Sequence, residues 1–145
     1  MIALLDVNFL IALAWPSHIH HADAHRWFSR HASRGWATCP LTELGFLRIS
    51  SNSKIIPEAV SPQEALEWLK KITTQGRHVF WQDKISLHHS PRLTKRLMGH
   101  RQVTDLYLLA LAIHYKGKLV TFDKAILTLL ATQEQNSVIE LLASN

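Results

Sequence analysis

One acidic residue opens a segment that is otherwise almost entirely apolar. In residues 104–113, Asp105 stands in the first turn of a predicted helix, and apolar residues cover nearly the whole circumference after it. A helix of this kind is buried inside a protein, so its carboxylate is held near a core. Asp6 and Asp123 each come directly after a short apolar run. Three acids placed in this way predict a cluster, and a cluster of carboxylates needs a cation.

Glu43 is the fourth candidate, because it lies one helical turn beyond a second apolar run. Two carboxylates about 4 Å apart repel by roughly 4 kcal/mol at an effective dielectric constant of about 20. Four together would rival the whole stability of a domain, about 5–15 kcal/mol, so some stay protonated or a divalent cation neutralises them. Carboxylate oxygens favour Mg²⁺ or Mn²⁺, and these ions support water attack on a phosphodiester bond.

Short apolar strands alternate with helices along the chain. Strands are predicted at about 2–5, 36–39, 78–81, 118–122 and 138–141. Helices are predicted at about 8–15, 21–33, from 40, from 62, from 91, at 104–117 and from 124. This alternation predicts an α/β fold with a mainly parallel sheet between two layers of helices. Ligands bind outside the carboxyl ends of the strands in such sheets, which is where Asp6, Glu43 and Asp123 would lie.

Each acid at a helix start also has a purely structural explanation. Asp6, Asp105 and Asp123 could cap their helices or interact with the helix dipoles. Asn8 is a candidate to orient the Asp6 carboxylate and equally a candidate helix N-cap, and Thr104 has the same two explanations. The joint pattern favours a site, because four of the 11 acids would then share one cleft of a cationic protein.

The charge balance indicates a polyanionic partner. Lysine and arginine together number 16 against 11 acids, a net charge of +5, which favours nucleic acid or a strongly acidic protein. Residues 84–104, called the basic segment below, contain no acid. Phosphate contact and a merely solvated surface explain this segment equally well. The candidates for phosphate contact are Arg92, Lys95, Arg96 and Arg101.

Length and composition limit the class of protein. The 145 residues, 47% of them hydrophobic, suffice for one domain, which we predict to span residues 1–145. The apolar run 9–15 has no basic segment before it and is shorter than the ~20 residues that span a bilayer. We therefore expect a soluble protein without a membrane anchor. Cys39 is the single cysteine, which excludes an internal disulfide and fits a cytoplasmic location.

The histidines form a second candidate metal site. Four of them lie within residues 18–25, and His21 with His25 has the i, i+4 spacing that can bind zinc. No glutamate lies between these two, as it does in metalloprotease motifs. A wet helix end, or contact with nucleic acid, is the other explanation, and the role of the cluster stays open.

Four acidic motifs resemble those of a known family. They are Leu4-Leu5-Asp6-Val7-Asn8-Phe9-Leu10-Ile11, Thr42-Glu43-Leu44, Val103-Thr104-Asp105-Leu106-Tyr107-Leu108 and Val120-Thr121-Phe122-Asp123. In this order they resemble the motifs of PIN-domain nucleases, and most of all the VapC toxins of prokaryotic toxin–antitoxin pairs. The resemblance covers essentially the whole chain. Leu106 stands where many members have alanine, and Lys124-Ala125 where Arg-Gly is frequent; the second difference alters the turn beside Asp123.

The resemblance implies a PIN-like three-layer α/β/α sandwich with about five strands, and an endoribonuclease that depends on Mg²⁺ or Mn²⁺. Asp6 and Asp105 would be the principal metal ligands, and Glu43 and Asp123 would complete the set directly or through water. The basic segment would contact RNA. A small cognate antitoxin, whose tail fills the site, and a homodimer are also implied. The alternative is a catalytically inactive RNA- or protein-binding module of the same fold, although four negative charges would hinder pure phosphate binding.

Overall fold

A computed structural model describes residues 1–142 of the protein; the last three residues of the predicted domain, 143–145, lie outside the described range. The strands are β1 Ala3–Leu5, β2 Trp36–Thr38, β3 His78–Phe80, β4 Lys118–Thr121 and β5 Ile139–Leu141. The α-helices are α1 Val7–Ala14, α2 His21–His31, α3 Pro40–Ser50, α4 Pro62–Ile72, α5 Pro91–Thr94, α6 Val103–His114 and α7 Thr132–Val138.

All five strands run parallel in one sheet, in the order β3-β2-β1-β4-β5. The predicted α/β/α architecture is therefore confirmed. The chain adds β2 and β3 on one side of β1 and then adds β4 and β5 on the other side. The boundary between β1 and β4 is thus the point where the strand order reverses, and binding crevices form there at the carboxyl edge of such sheets.

Two hydrophobic cores lie on the two faces of the sheet. Along β1, Leu5 belongs to the core shared with α1–α4, whereas Leu4 belongs to the core built around α6, as the alternation of side chains along a strand requires. Leu108 and Leu111, on different sides of α6, are both fully buried. The prediction of a helix that is buried nearly all round is confirmed. Within residues 1–142, no helix combines the length and apolarity needed to cross a bilayer.

The predicted helix after Asp123 is divided into two parts. A 3₁₀ helix covers Lys124–Leu129, Leu130 takes an extended conformation, and α7 follows. The side-chain amide of Gln135 donates a hydrogen bond of 2.8 Å to the Leu127 carbonyl, which satisfies a backbone group at the break. The predicted last turn of α2 is likewise a separate 3₁₀ helix, Ala32–Arg34.

Gly45 allows α3 to pack closely against the start of α1. A Cβ atom at this position would lie 2.8 Å from Cγ2 of Val7, a distance shorter than packed carbon atoms adopt. Val7 directly follows Asp6 in the chain. The close contact between the two helices therefore determines where the first predicted site residue lies.

Candidate active site

Asp6 is a buried carboxylate at the carboxyl end of β1, with a relative exposure of 5%. Its backbone N–H donates a hydrogen bond of 3.1 Å to the carbonyl of Val120, so the pairing of β1 with β4 holds it in place. Its side chain accepts a hydrogen bond of 2.7 Å from the Thr121 hydroxyl and forms no capping hydrogen bond to α1. A capping role for the Asp6 side chain was therefore a wrong explanation, and the carboxylate faces the strand ends.

Asp123 and Asp105 approach the same edge from two other elements. The Asp123 side chain accepts a hydrogen bond of 2.9 Å from the Ala125 amide, which confirms that it caps the following 3₁₀ helix. Its own amide donates to the Thr121 hydroxyl at 3.1 Å. Asp105 is half-buried in the first turn of α6, where the positive end of the helix dipole favours a carboxylate. Structural and functional roles therefore coexist in these residues.

The three acids influence one another electrostatically. Burial raises the pKa of Asp6; the hydrogen bond from Thr121 opposes this shift, and the charge of Asp123 adds to it. Burial also raises the pKa of Asp105, to about 6, and the charges of Asp6 and Asp123 contribute. None of the ion pairs formed within residues 1–142 includes any of the three. The structure thus brings three predicted acids together and leaves their negative charge without a neighbouring cationic partner.

The carboxylate of Glu43, by contrast, is directed toward β2 and β3. It accepts a hydrogen bond of 2.7 Å from the Thr38 hydroxyl, and that hydroxyl lies 2.8 Å from Nε2 of His78. Burial lowers the pKa of His78, and the charge of Glu43 opposes this shift. The charge of Glu43 has no such resolved effect on the pKa of Asp6 or Asp105.

The geometry of α3 explains this separation. Leu41 and Gly45 line the cleft that contains Asp6, and Glu43 is two residues from each of them. Two residues correspond to a rotation of about 200° around a helix, so Glu43 points to the other side. The structure therefore joins three of the four predicted acids, and the part of Glu43 in metal binding stays a prediction.

A cavity of about 420 Å³ contains Asp6 and Asp105. Asn8 and Thr104 line it as well, so both predicted neighbours of the acids are at the site. Neither is a helix N-cap, because each is the second residue of its helix. Within the described part of the chain, the side-chain hydrogen bond to Asp6 comes from Thr121. The orienting role predicted for Asn8 therefore belongs to this threonine.

Two further polar residues of the cavity escaped the sequence analysis. Arg48, in the last turn of α3, places a cation on the wall of a cavity that holds two carboxylates. Asn52 follows on the same wall, and its side-chain oxygen accepts a hydrogen bond of 3.0 Å from the Lys54 amide. Its amino group is thus the part that a ligand would meet. The helical spacing of residues 41, 45, 48 and 52 was the signal that could have identified them.

The chemistry of the acid cluster fits a hard divalent cation. Its ligands would be carboxylate oxygens, which suit Mg²⁺ or Mn²⁺. No three acidic, histidine or cysteine side chains of the described residues are already close enough to hold one ion together. Mg²⁺ usually takes only one or two protein carboxylates and keeps several waters. Asp6 and Asp105, which share the cavity, satisfy that smaller requirement.

The basic segment adjoins the cavity, because its last residue, Thr104, lines it. Arg92 on α5 forms an ion pair with Glu134 on α7. Lys95, Arg96 and Arg101 are exposed, and none of them belongs to an ion pair within residues 1–142. These three cations are therefore available to a polyanion that approaches the acids from this side, whereas Arg92 is already partly neutralised.

The histidine cluster has a structural role at the end of α1. Nδ1 of His21 lies 2.8 Å from the Ala12 carbonyl, and Nε2 of His25 lies 3.1 Å from the Leu13 carbonyl. Since carbonyls only accept, both ring nitrogens donate, as histidines near a helix C-terminus do. Protonated nitrogens cannot bind zinc. The structure thus gives these two residues a helix-ending function in place of the candidate zinc site.

The fold and the site together define an α/β/α sandwich with an acidic cleft at the reversal point of its parallel sheet. Residues 3–129 match the family described as PIN domain, so the chain belongs to the PIN-domain family. The resemblance predicted from the four acidic motifs is confirmed.

The chain is similar to two curated ribonucleases of Mycobacterium tuberculosis. It is 49% identical to Ribonuclease VapC39 over 127 residues, which cover 87% of this chain and 91% of the relative. It is 48% identical to Ribonuclease VapC38 over 140 residues, which cover 97% of each. The expected similarity to VapC proteins is therefore confirmed over nearly the full length.

Two solved structures share the fold. One is the crystal structure of VapBC2 from Rickettsia felis bound to a DNA fragment from their promoter; the TM-score is 0.64 at 15% identity, covering 97% of this chain and 98% of that chain. The other is PAE2754 from Pyrobaculum aerophilum, with a TM-score of 0.59 at 20% identity, covering 94% of this chain and 81% of that chain. At these identities the comparison establishes the architecture alone.

Proposed function

We propose that this protein is a metal-dependent endoribonuclease that acts as the toxin of a toxin–antitoxin pair. The observation that carries the proposal is the cluster of Asp6, Asp105 and Asp123 at the carboxyl edge of the sheet, without an ion-pair partner within residues 1–142. Relatives that are 48–49% identical are named ribonucleases, which supports RNA as the substrate.

The proposed cofactor is Mg²⁺ or Mn²⁺. Asp6 and Asp105 would hold it, and Asp123 and Glu43 would complete the set directly or through water. When bound, the ion would neutralise the carboxylates and polarise the phosphodiester group of the RNA. The raised pKa values of Asp6 and Asp105 support this assignment, because they report carboxylates whose negative charge is poorly compensated by the protein.

The residues of the chain would orient the substrate and the acids. Thr121 fixes the Asp6 carboxylate by its hydrogen bond, and α6 holds Asp105 within a rigid core. The guanidinium group of Arg48 and the amino group of Asn52 are suited to a phosphate that enters the cavity. The exposed cations of the basic segment would hold more distant phosphates and steer the RNA toward the site.

The partners follow from the same proposal. A small cognate antitoxin would neutralise the toxin by filling the acidic cavity with its tail, and the similarity to a chain of the VapBC2 structure supports such a partner. We further propose a homodimer and a cytoplasmic location. Co-expression with the small protein encoded directly upstream should relieve growth arrest if that protein is the antitoxin, and chromatography with light scattering would measure the dimer.

The proposed function is tested by cleavage of structured RNA with Mg²⁺ or Mn²⁺ and then with EDTA. Wild-type protein should cleave only with metal, whereas Asp6→Asn and Asp105→Asn should lose at least 100-fold in rate, because removal of a principal catalytic group costs about this much or more. Glu58→Gln is the matched control, since Glu58 is exposed and outside the cavity. Cleavage that survives chelation or either Asp substitution would overturn the mechanism.

The same experiment separates the alternative, an inactive binding module. Such a module would bind RNA without cleaving it in any metal. The ribonuclease names of the relatives and the retained acids at positions 6, 105 and 123 do not favour it.

A further inference from the structure

Thr38, His78 and Glu43 form a hydrogen-bonded chain beside the acid cluster. The hydroxyl of Thr38 lies 2.7 Å from Oε2 of Glu43 and 2.8 Å from Nε2 of His78. The three residues come from β2, α3 and β3. The chain therefore links the side chain of a predicted site residue to two neighbouring strands of the sheet.

The direction of each hydrogen bond follows from the chemistry of the groups. An ionised Glu43 carboxylate only accepts, so the Thr38 hydroxyl donates its single proton to it. The hydroxyl oxygen must then accept from His78, which places the imidazole proton on Nε2. The donor of the first bond is thus itself fixed by a second donor, and the order of donation runs from His78 through Thr38 to Glu43.

The two supporting residues are held rigidly. Thr38 is fully buried at the end of β2, and its strand pairs in register with the edge strand β3. The ring of His78 packs against the indole of Trp36, with centroids 4.6 Å apart. A buried threonine hydroxyl costs free energy unless it is hydrogen-bonded, and here it has two partners. Such an arrangement constrains the side chain at its end, which is Glu43.

Only one oxygen of Glu43 is used by this chain. Oε2 accepts from Thr38, whereas Oε1 forms no hydrogen bond with any of residues 1–142 in the structure. Glu43 is half-buried, so Oε1 remains accessible from the carboxyl edge of the sheet. A carboxylate with one oxygen fixed and the other open is oriented for a further ligand.

We propose that Thr38 and His78 are positioning residues, which hold the Glu43 carboxylate in the orientation that RNA cleavage requires. This inference rests on the proposed ribonuclease function. It adds two residues that lie outside the acidic motifs. It also accounts for the placement of Glu43 apart from the other acids: the glutamate is held by its own hydrogen bonds and not by the cluster.

The test compares variants that remove or retain each donor. Thr38→Val removes the hydroxyl with little change in shape, and Thr38→Ser keeps it. His78→Asn removes the Nε2 donor, whereas the longer amide of His78→Gln places a nitrogen close to the Nε2 position. Thr38→Val and His78→Asn should each lower kcat by about tenfold, the lower range for removal of a residue that orients a site ligand. Thr38→Ser and His78→Gln should recover most of the lost rate.

A double-mutant cycle separates positioning from general stability. In a Glu43→Ala background, Thr38→Val should cause no further loss of kcat, because the carboxylate it orients is gone. An equal tenfold loss in that background, or an unchanged kcat of Thr38→Val in the wild-type background, would overturn the inference. Thermal unfolding of each variant shows whether a loss of rate reflects a loss of folded protein.

Nitrogen-15 NMR of the imidazole provides a readout independent of cleavage. His78 should carry its proton on Nε2 in the wild-type protein, and Thr38→Val should lose that preference. A proton on Nδ1 in the wild-type protein would contradict the chain. If the wild-type protein cleaves RNA and these variants behave as wild type, the inference fails and the proposed function stands. If the wild-type protein does not cleave RNA with either metal, the proposed function itself fails.

Discussion

The Thr121 hydroxyl donates a hydrogen bond of 2.7 Å to the Asp6 carboxylate and accepts one of 3.1 Å from the Asp123 amide. One side chain at the end of β4 thus connects the first and last acids of the cluster. Thr121 is fully buried, so its hydroxyl has little access to water as a substitute partner. The relative placement of these two acids therefore depends on a residue that carries no charge.

Substitution of Thr121 should impair the site without removing any acid. Thr121→Val is expected to lower the cleavage rate by about 10- to 100-fold, because the Asp6 carboxylate loses its orienting donor. The pKa of Asp6 should rise further, since the hydrogen bond from Thr121 lowers it. Cleavage kinetics and carbon-13 NMR of the carboxyl group measure the two effects. Thr121→Ser is the matched control, and a valine variant that cleaves at the wild-type rate would contradict the role of the hydroxyl.

The raised pKa of Asp105 predicts how stability depends on pH in metal-free protein. Its pKa rises from 3.8 to about 6 on folding, so in this interval the folded protein holds a proton that the unfolded chain has released. The contribution of Asp105 to the free energy of unfolding should therefore fall as pH rises from about 4 to about 6 and stay low above that. The expected loss is on the order of 1 kcal/mol, since solvent screens a half-buried group.

Denaturant unfolding at several pH values, compared with Asp105→Asn, isolates this contribution. The asparagine variant should be the more stable protein at pH 7 and should lose its advantage at pH 4. Millimolar Mn²⁺ should raise the melting temperature of the wild type at pH 7 by binding the folded state and should raise that of the variant less. Parallel pH profiles for the two proteins would show that Asp105 titrates normally.

The contact between Gly45 and Val7 should be sensitive to a single added methyl group. Gly45→Ala places a carbon 2.8 Å from Val7 and should destabilise the protein by about 1–2 kcal/mol, because overpacking outweighs the higher helix propensity of alanine. Cleavage should fall as well, since Val7 adjoins Asp6. Thermal unfolding and cleavage assays measure both effects.

Two variants serve as controls for this contact. Gly99→Ala should be nearly neutral, because a Cβ there meets no atom within 4 Å. Combining Gly45→Ala with Val7→Ala should restore part of the stability by removing the atoms that clash. If the single Gly45→Ala variant is as stable as the wild type, the two helices are not in the close contact described here.

The cations of the basic segment should differ in their effect on RNA affinity. Lys95→Ala and Arg96→Ala should each reduce the slope of log affinity against log salt by about 0.7, the value for one phosphate contact with a single strand. Arg92→Ala should reduce it less, because Arg92 is already paired with Glu134. Binding to a non-cleaving Asp105→Asn background at several salt concentrations measures the slopes. Equal slopes for all proteins would assign this segment to a purely structural role.

The sequence by itself determined the architecture and most of the acid cluster. Apolar runs of strand length alternate with helical patterns, and this periodicity reports which residues face a core regardless of their distant partners. Asp6 and Asp123 follow such runs, so they had to reach the carboxyl edge of a parallel sheet. Asp105 was identifiable because a carboxylate within an apolar helix is anomalous in any fold. These local signals survive folding unchanged.

Tertiary structure alone decided the partners of these side chains. Thr121 meets Asp6 across 115 positions of sequence, and Glu43 bonds to Thr38 and through it to His78, although its motif resembles those of the other acids. A hydrogen bond requires two groups within about 3 Å in a suitable direction, which depends on the rotation of each helix and the register of each strand. Residue types reveal which groups are able to bond, whereas only their positions in space determine which pairs do.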